Sequence, residues 1–429
     1  MAEPAPSLAD RMRRARDETL RLISLIEETD LNRSLNPEFS PIRWHLGHIA
    51  AYEAHWVLAQ AGGQPTPDPV YDVLFDPTRN PKPNRDQLPP KSEILAYADR
   101  VRGSVETILD TAAPDHPTPL LRDGYIGELV YEHECQHQEI MTFLLQMIPH
   151  SRKRVPSGWE PVRVVDEPVT GMVTIPEGSF LQGAAGPWFV YDNEREPHEV
   201  HLPSYRIDRA PVSEFAYFQF VEGGGYQTES LWSAEGWSWR SQGDIRAPRD
   251  WSRGSHGGWE VRAMFETRPP LAGVPVVGVS AHEAEAYARW VGARLPTESE
   301  WERASSWDPA SRQTRRFPWG SQPPRPDLAN TDGWAWGTRS VQRSVESPSG
   351  CLDMAGQVWE WTASWFLPYP GFRPFPYEGY SQAWFDGRHR VLRGGSWATR
   401  GLLCRNSFRN WYHPHVREIF AGFRCAADS

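Results

Sequence analysis

Near residue 150 the chain changes its periodicity, and that break constrains the fold more than any other feature. Before it, apolar residues return to one helix face: Leu8, Met12, Ala15, Leu22 and Ile26 do so within a charged stretch. From about residue 171, short apolar runs such as MVTIPEGSF, VPVVGVS and RVLRGGSW alternate with loops rich in Gly, Pro, Asn and Trp. With 429 residues in all, the two grammars predict two domains, each large enough to bury a core. We place them at residues 1–155 and 171–429, with the polar segment 151–170 between them.

In the first half, Ser40 reads as an N-cap and Pro41 as a first-turn proline before IRWHLGHIAAYEAHWVLAQ, which Gly62-Gly63 ends. A proline-rich connection from Pro65 to Pro90 leads to two further helical patterns over 91–112 and 122–148. Four helices with one long cross-connection predict a bundle. The second half holds one clear helix, residues 281–291, amid strands and irregular chain, which is an α+β pattern.

Composition removes several function classes. Against 55 Asp+Glu the chain sets 45 Lys+Arg, a formal charge of −10, which disfavours binding along a nucleic-acid backbone. No stretch approaches about 18 apolar residues, and the N-terminus lacks a signal peptide's apolar run, so a cytoplasmic protein without a membrane partner is expected. The four cysteines, Cys135, Cys351, Cys404 and Cys425, have no CxxC spacing and read as reduced thiols.

The chemistry concentrates in the fourth helix, in the run Tyr131 to Glu139. His133 and His137 are four apart and project from one face, where they can hold one metal ion at ~2 Å. Gln136 lies within ~60° of His133 around the axis and reaches the same cavity, whereas Glu139, ~200° from His137, is a supporting or helix-pairing residue. On the second helix, His45, His48, Tyr52 and His55 form a polar stripe at 3-4-3 spacing. We read His48 as a ligand, and His45 and His55 as hydrogen-bonded core or rim histidines. Three neutral imidazoles leave positions open for catalysis, and the ligand type suits Zn, Fe, Cu or Ni alike.

This first half resembles the DinB-like superfamily, whose three-histidine metal site draws on two helices in this order. The second half carries IPEGSFLQG, RIDRAPVSEFAYFQFVEGGGY, GARLPTESEWERA, CLDMAGQVWEWTASW, VLRGGSW and FAGFRCA in succession. These motifs resemble the formylglycine-generating-enzyme (sulfatase-modifying factor) fold, a C-type-lectin-like scaffold. Arg303, Arg393 and Arg424 are expected to bind carboxylates or carbonyls inside it. The copper-binding cysteine pair of catalytic members has no counterpart beyond Cys404 and Cys425.

Together the halves resemble the nonheme-iron sulfoxide synthases of ergothioneine biosynthesis, with selenoneine synthase sharing the architecture. The resemblance implies Fe(II) on His48, His133 and His137, O₂ as co-substrate, and hercynine, the trimethyl betaine of histidine, as acceptor of a C–S or C–Se bond. It implies that Gln136 meets the hercynine imidazole, and that Asn410 and Trp411, in Asn410-Trp411-Tyr412-His413-Pro414, meet the betaine carboxylate or imidazole and the quaternary ammonium. Tyr377 matches a proton donor to reduced oxygen, and Tyr380 lines the hercynine pocket.

The sulfur-donor positions depart from the pattern. Tyr412 stands where an aspartate binds the donor's amino group, and the basic pair for the donor's carboxylates corresponds to Lys82 and Arg85. Losing that acid would leave a buried ammonium unpaired, so γ-glutamylcysteine is disfavoured. Cysteine, or a neutral thiol or selenol sugar on which Tyr412 stacks, stays open. Arg79 and Arg85 read equally well as solvent-exposed charges. Two other classes compete: a DinB-type Zn-dependent thiol transferase or hydrolase with an appended binding module, and a lectin-like binder without catalysis. Asn, Asp and carbonyl-rich loops leave a Ca²⁺ site in the second half open.

Overall fold

The computed structural model describes residues 6–162, 168–184, 186–341 and 345–429. Residues 163–167 of the connecting segment therefore lie outside the described residues. The chain divides into two compact units, 1–157 and 158–429.

The first unit is a helical bundle. Besides a single turn at Glu28–Leu31, its helices are α1 (Leu8–Ser24), α2 (Ile42–Glu53), a short α3 (Pro69–Leu74), α4 (Lys91–Thr111) and α5 (Tyr125–Met147). Ser7 caps α1 by accepting from the Asp10 amide, which satisfies a donor that the helix cannot. The predicted cap of α2 is different in fact. Pro41 occupies the N-cap, the helix begins at Ile42, and no side chain caps it. Ser40 is free for another task, because its hydroxyl accepts from Arg85. Beyond Glu53 the helix widens into a π-helix over Ala54–Ala61. The α-helical arithmetic that set His55 on the stripe ends there, and His55 is exposed, edge-on to Trp56.

Between α1, α2, α4 and α5 lies a buried ionic cluster. Arg102 donates to both Glu53 (3.0 and 2.5 Å) and Glu134 (2.8 Å), and Glu134 also accepts from Thr19 (2.8 Å) and Arg16 (3.1 Å). Two guanidiniums against two carboxylates balance, as buried charge must. Residues 134 and 138 thus face α1, where Gln138 donates to the Ala15 carbonyl at 2.6 Å. The opposite side of α5 is left for residues 133 and 137.

The second unit is α+β with much irregular chain. One sheet pairs β1 (Met172–Ile175), β4 (Tyr205–Asp208) and β9 (Ala426–Asp428) in the order β1-β4-β9, while β2 (Gly178–Gln182) and β3 (His198–Leu202) form a hairpin. A four-stranded sheet runs β7-β6-β5-β8, from Asn410–Tyr412, Arg390–Arg393, Trp359–Trp365 and Ala421–Gly422. Four helices accompany them: α6 (Glu214–Glu222), α7 (Ala234–Gln242), α8 (Ala281–Trp290) and α9 (Glu298–Ser306). The three arginines singled out in the sequence are all internal ties: Arg303 to the Gly178 carbonyl, Arg393 to Glu298 and Glu302, Arg424 to Glu360 and the Leu352 carbonyl. All four cysteines are buried. No helix among the described residues is long and apolar enough to cross a membrane.

Candidate active site

Helices α2 and α5 bring His48, His133 and His137 together, with one ring nitrogen of each within 4.8 Å of the others. The Nε2 atoms of His133 and His137 are 3.1 Å apart. Two cis ligands at ~2.1 Å and ~90° would stand about 3 Å apart, so this edge matches a shared ion. For His48 the other ring nitrogen fixes the tautomer. His48 Nδ1 donates to the Phe75 carbonyl at 2.7 Å, which leaves Nε2 as the lone-pair atom. His137 Nδ1 contacts His45 Nδ1 at 2.8 Å. With His137 donating there, its Nε2 is likewise available. His45 is therefore the hydrogen-bonded core histidine expected of it, and its partner is a ligand.

Aromatic faces hold two of the rings. Trp44 stacks on His48 with centroids 4.4 Å apart at 15°, and Tyr52 stacks on His133 at 3.6 Å and 8°. Burial drives all three imidazoles neutral: the His48 pKa falls to about 4, and those of His133 and His137 fall well below the usual value. Neutral, preoriented imidazole donors are what a divalent transition metal requires, and the residues fit one.

Local sequence explains His48's geometry. A Cβ on Gly47 would lie 2.1 Å from Phe75 Cζ, so only glycine lets the Phe75 ring press on α2 and bring its carbonyl to His48. Phe75 follows the last turn of α3, a position where helix carbonyls lack partners of their own. Sequence reading missed Gly47 and Phe75 as supports, because a contact between segments some 27 residues apart leaves no periodic trace, and it also missed Trp44, one helical turn from His48 and within reach of helix spacing.

Gln136 is half-buried on α5 near the two histidines, and Glu139 is buried. In the 65–90 connection, Lys82 is exposed and donates to the Glu38 carbonyl at 2.6 Å, and Arg79 is exposed. Arg85, however, is 4% exposed, which corrects its reading as a solvent charge.

The second unit gathers its own group of expected site residues. Trp411 stacks on Phe366 (4.0 Å, 8°), so one indole face is covered, and Tyr380 meets it edge-on at 5.9 Å. Tyr380 in turn stacks on Tyr191 (4.3 Å, 11°) and lies 6.5 Å from Tyr377 between centroids. Asn410 Oδ1 accepts from the Trp411 amide, and Tyr412 pairs with Arg390 in the sheet. The loop bearing the two tyrosines is pinned at both ends by Asp192, which accepts from the Phe375 amide and the Ser381 hydroxyl. That anchor was not legible from local sequence.

Comparison with known proteins agrees with this division. Residues 160–429 match the sulfatase-modifying factor enzyme 1-like domain family, and residues 11–141 match the DinB superfamily. The hercynine oxygenase of Mycolicibacterium smegmatis is 40% identical over 98% of this chain and 99% of its own length. The chain belongs to the hercynine oxygenase family. A second relative, the hercynine oxygenase of Mycobacterium tuberculosis, is 39% identical over 98% of each chain. The formylglycine-generating enzyme of Thermomonospora curvata, 31% identical, covers 62% of this chain and 97% of its own. These two hercynine oxygenases thus span both units, whereas the formylglycine-generating enzyme matches only part of the chain.

Proposed function

We propose that this family member is an Fe(II)- and O₂-dependent enzyme that joins sulfur to the imidazole carbon of hercynine, as in ergothioneine biosynthesis. The observation that carries the reading is the three-histidine cluster of α2 and α5 in a chain aligned end to end with hercynine oxygenases. Fe(II) held there supplies electrons to O₂ and open positions for both reactants. In sum, the imidazole C–H and the thiol S–H are lost, one oxygen atom ends on sulfur, and the other leaves as water.

The protein's own groups divide the remaining work. His48, His133 and His137 hold the metal as neutral donors. Gln136, on the ligand-bearing face, would hydrogen-bond the hercynine imidazole. Asn410 and the uncovered face of Trp411 would take the betaine, whose quaternary nitrogen cannot donate a hydrogen bond and favours an aromatic surface. A phenol is protonated at neutral pH, which suits Tyr377 to deliver a proton to reduced oxygen, with Tyr380 lining the pocket. For the sulfur or selenium donor, Tyr412 stands where an acid would pair with the γ-glutamylcysteine ammonium, so that donor is disfavoured and cysteine or a thiol or selenol sugar stays in play. Of the expected basic pair, exposed Lys82 is retained as the carboxylate-facing residue to be tested, whereas Arg85 is buried with its donors bound inside the protein. A Ca²⁺ in the second unit is a further proposal, which metal analysis of the purified protein tests. A cytoplasmic location fits the reduced state of four buried cysteines.

The decisive experiment loads the protein with Fe(II) anaerobically and adds hercynine, O₂ and a donor panel of cysteine, γ-glutamylcysteine, thiosugars and selenosugars. O₂ uptake with a new product mass is expected, and His48→Ala should abolish both. Full activity with Zn and no O₂ uptake would instead favour the hydrolase or transferase class.

A further inference from the structure

The connection between α3 and α4 holds a buried arginine whose donors all turn inward. Arg85 Nε donates to the Asn80 carbonyl at 2.8 Å, one terminal nitrogen to the Pro77 carbonyl at 2.9 Å, and the other to the Ser40 hydroxyl at 2.5 Å. Its guanidinium carbon lies 4.1 Å from the centroid of the Trp44 ring. Trp44 then stacks on His48, so guanidinium, indole and imidazole contact one another in series.

The same arginine ties together the loop that supplies His48's other support. By gripping Pro77 and Asn80 it closes residues 77–85 on themselves, and by gripping Ser40 it fastens that loop to the start of α2. Within the loop, Asn80 Nδ2 donates to the Leu74 carbonyl at 2.7 Å, and that carbonyl also accepts from Trp44 Nε1 at 3.2 Å. Phe75 is the next residue, and its carbonyl holds His48 Nδ1. Two independent supports of His48, the Trp44 face and the Phe75 carbonyl, thus converge on Arg85.

We infer that Arg85 is a positioning residue for the metal ligand His48, acting through Trp44 and the 75–80 loop rather than by clamping a donor carboxylate. This rests on the metal reading of the three histidines. An ionic clamp would require the guanidinium fork to face outward, whereas here its nitrogens are bound to two main-chain carbonyls and the Ser40 hydroxyl, and its carbon lies over the indole. A lysine at 85 would keep the charge but lose both the fork and the flat face.

The experiment separates metal binding from donor binding. Fe(II) affinity is measured anaerobically by chelator competition, Co(II) d–d absorption reports ligand geometry, and donor KM is measured at saturating Fe(II). Arg85→Met is expected to weaken Fe(II) about 10- to 100-fold and to shift the Co(II) bands, with donor KM changed less than about twofold once metal is saturating. Arg85→Lys should behave like Arg85→Met. Unchanged Fe(II) affinity with a donor KM raised tenfold or more would overturn the inference and restore the clamp. If Arg85→Met does not fold, Trp44→Leu decides: weaker Fe(II) binding with native secondary structure supports the inference, and unchanged binding overturns it. Failure of the metal reading is distinguishable, because His133→Ala would then also leave Fe(II) affinity unchanged.

Discussion

At the residue scale, His45 and His48 differ in what they touch. His48 presents Nε2 to the cluster, while His45 touches His137 through Nδ1. His45→Ala should therefore keep measurable turnover while weakening Fe(II) about 10- to 100-fold, the usual loss when a ligand's hydrogen-bond partner goes. Chelator competition checks it; complete loss of iron would make His45 a ligand in its own right. Sequence spacing placed both histidines on one stripe and did not by itself separate them. What spacing cannot carry is the tautomer, which depends on a carbonyl from another segment.

Asp208 gives a second residue-scale expectation. Burial outweighs the help from Arg424 and the Cys425 amide, and lifts its pKa from 3.8 to about 6. A raised carboxyl binds its proton more tightly in the folded state. Its stabilising effect is then complete below about pH 4 and lost as pH rises through 6. Relative to Asp208→Asn, the native protein should lose on the order of 3 kcal/mol between pH 4 and pH 7. Urea denaturation at both pH values tests it, and a pH-independent difference would show that Asp208 stays ionised in the fold.

At the scale of elements, α2 matters most. Its apolar and polar periods were readable, and so was its end near Gly62-Gly63. The change to a π-helix at Ala54 was not, because no Pro or Gly marks it. Equally hidden was the use of Gly47 as a seat for the Phe75 ring. Gly47→Ala adds intrinsic helix propensity of about 1 kcal/mol, yet its methyl group meets the ring at 2.1 Å. We expect net destabilisation of roughly 1–3 kcal/mol, together with weaker metal binding as Phe75 withdraws its carbonyl. Thermal melts with and without metal separate these effects. A more stable variant with native iron affinity would refute the close-packing account. The buried partners Glu53, Glu134, Arg16 and Arg102 left a trace in sequence as charges within otherwise apolar faces, although pairing them required coordinates.

For the whole molecule, the two-part architecture was legible because each half obeys a different periodicity. The order of strands in the second unit was not, since β5 and β8 pair across some 60 residues of irregular chain with only two residues in β8. With the three-histidine cluster in residues 1–157, removing its metal should act unevenly. At a metal concentration 100 times Kd, binding adds about 2.7 kcal/mol to the unit that holds it. Hydrogen exchange after chelation should rise in peptides from α2 and α5 and stay constant in β1 and β4. A uniform rise across the chain would mean that the two units open together.

The ionic cluster behind α5 has a further consequence. Glu134 sits between His133 and Cys135, so the backbone carrying the ligands is anchored from the rear by Arg16, Thr19 and Arg102. Such an anchor sets the helix's rotation about its own axis before any ion arrives. The protein therefore need not spend binding energy on turning α5, and the apo bundle should already be a finished socket rather than one moulded by its guest.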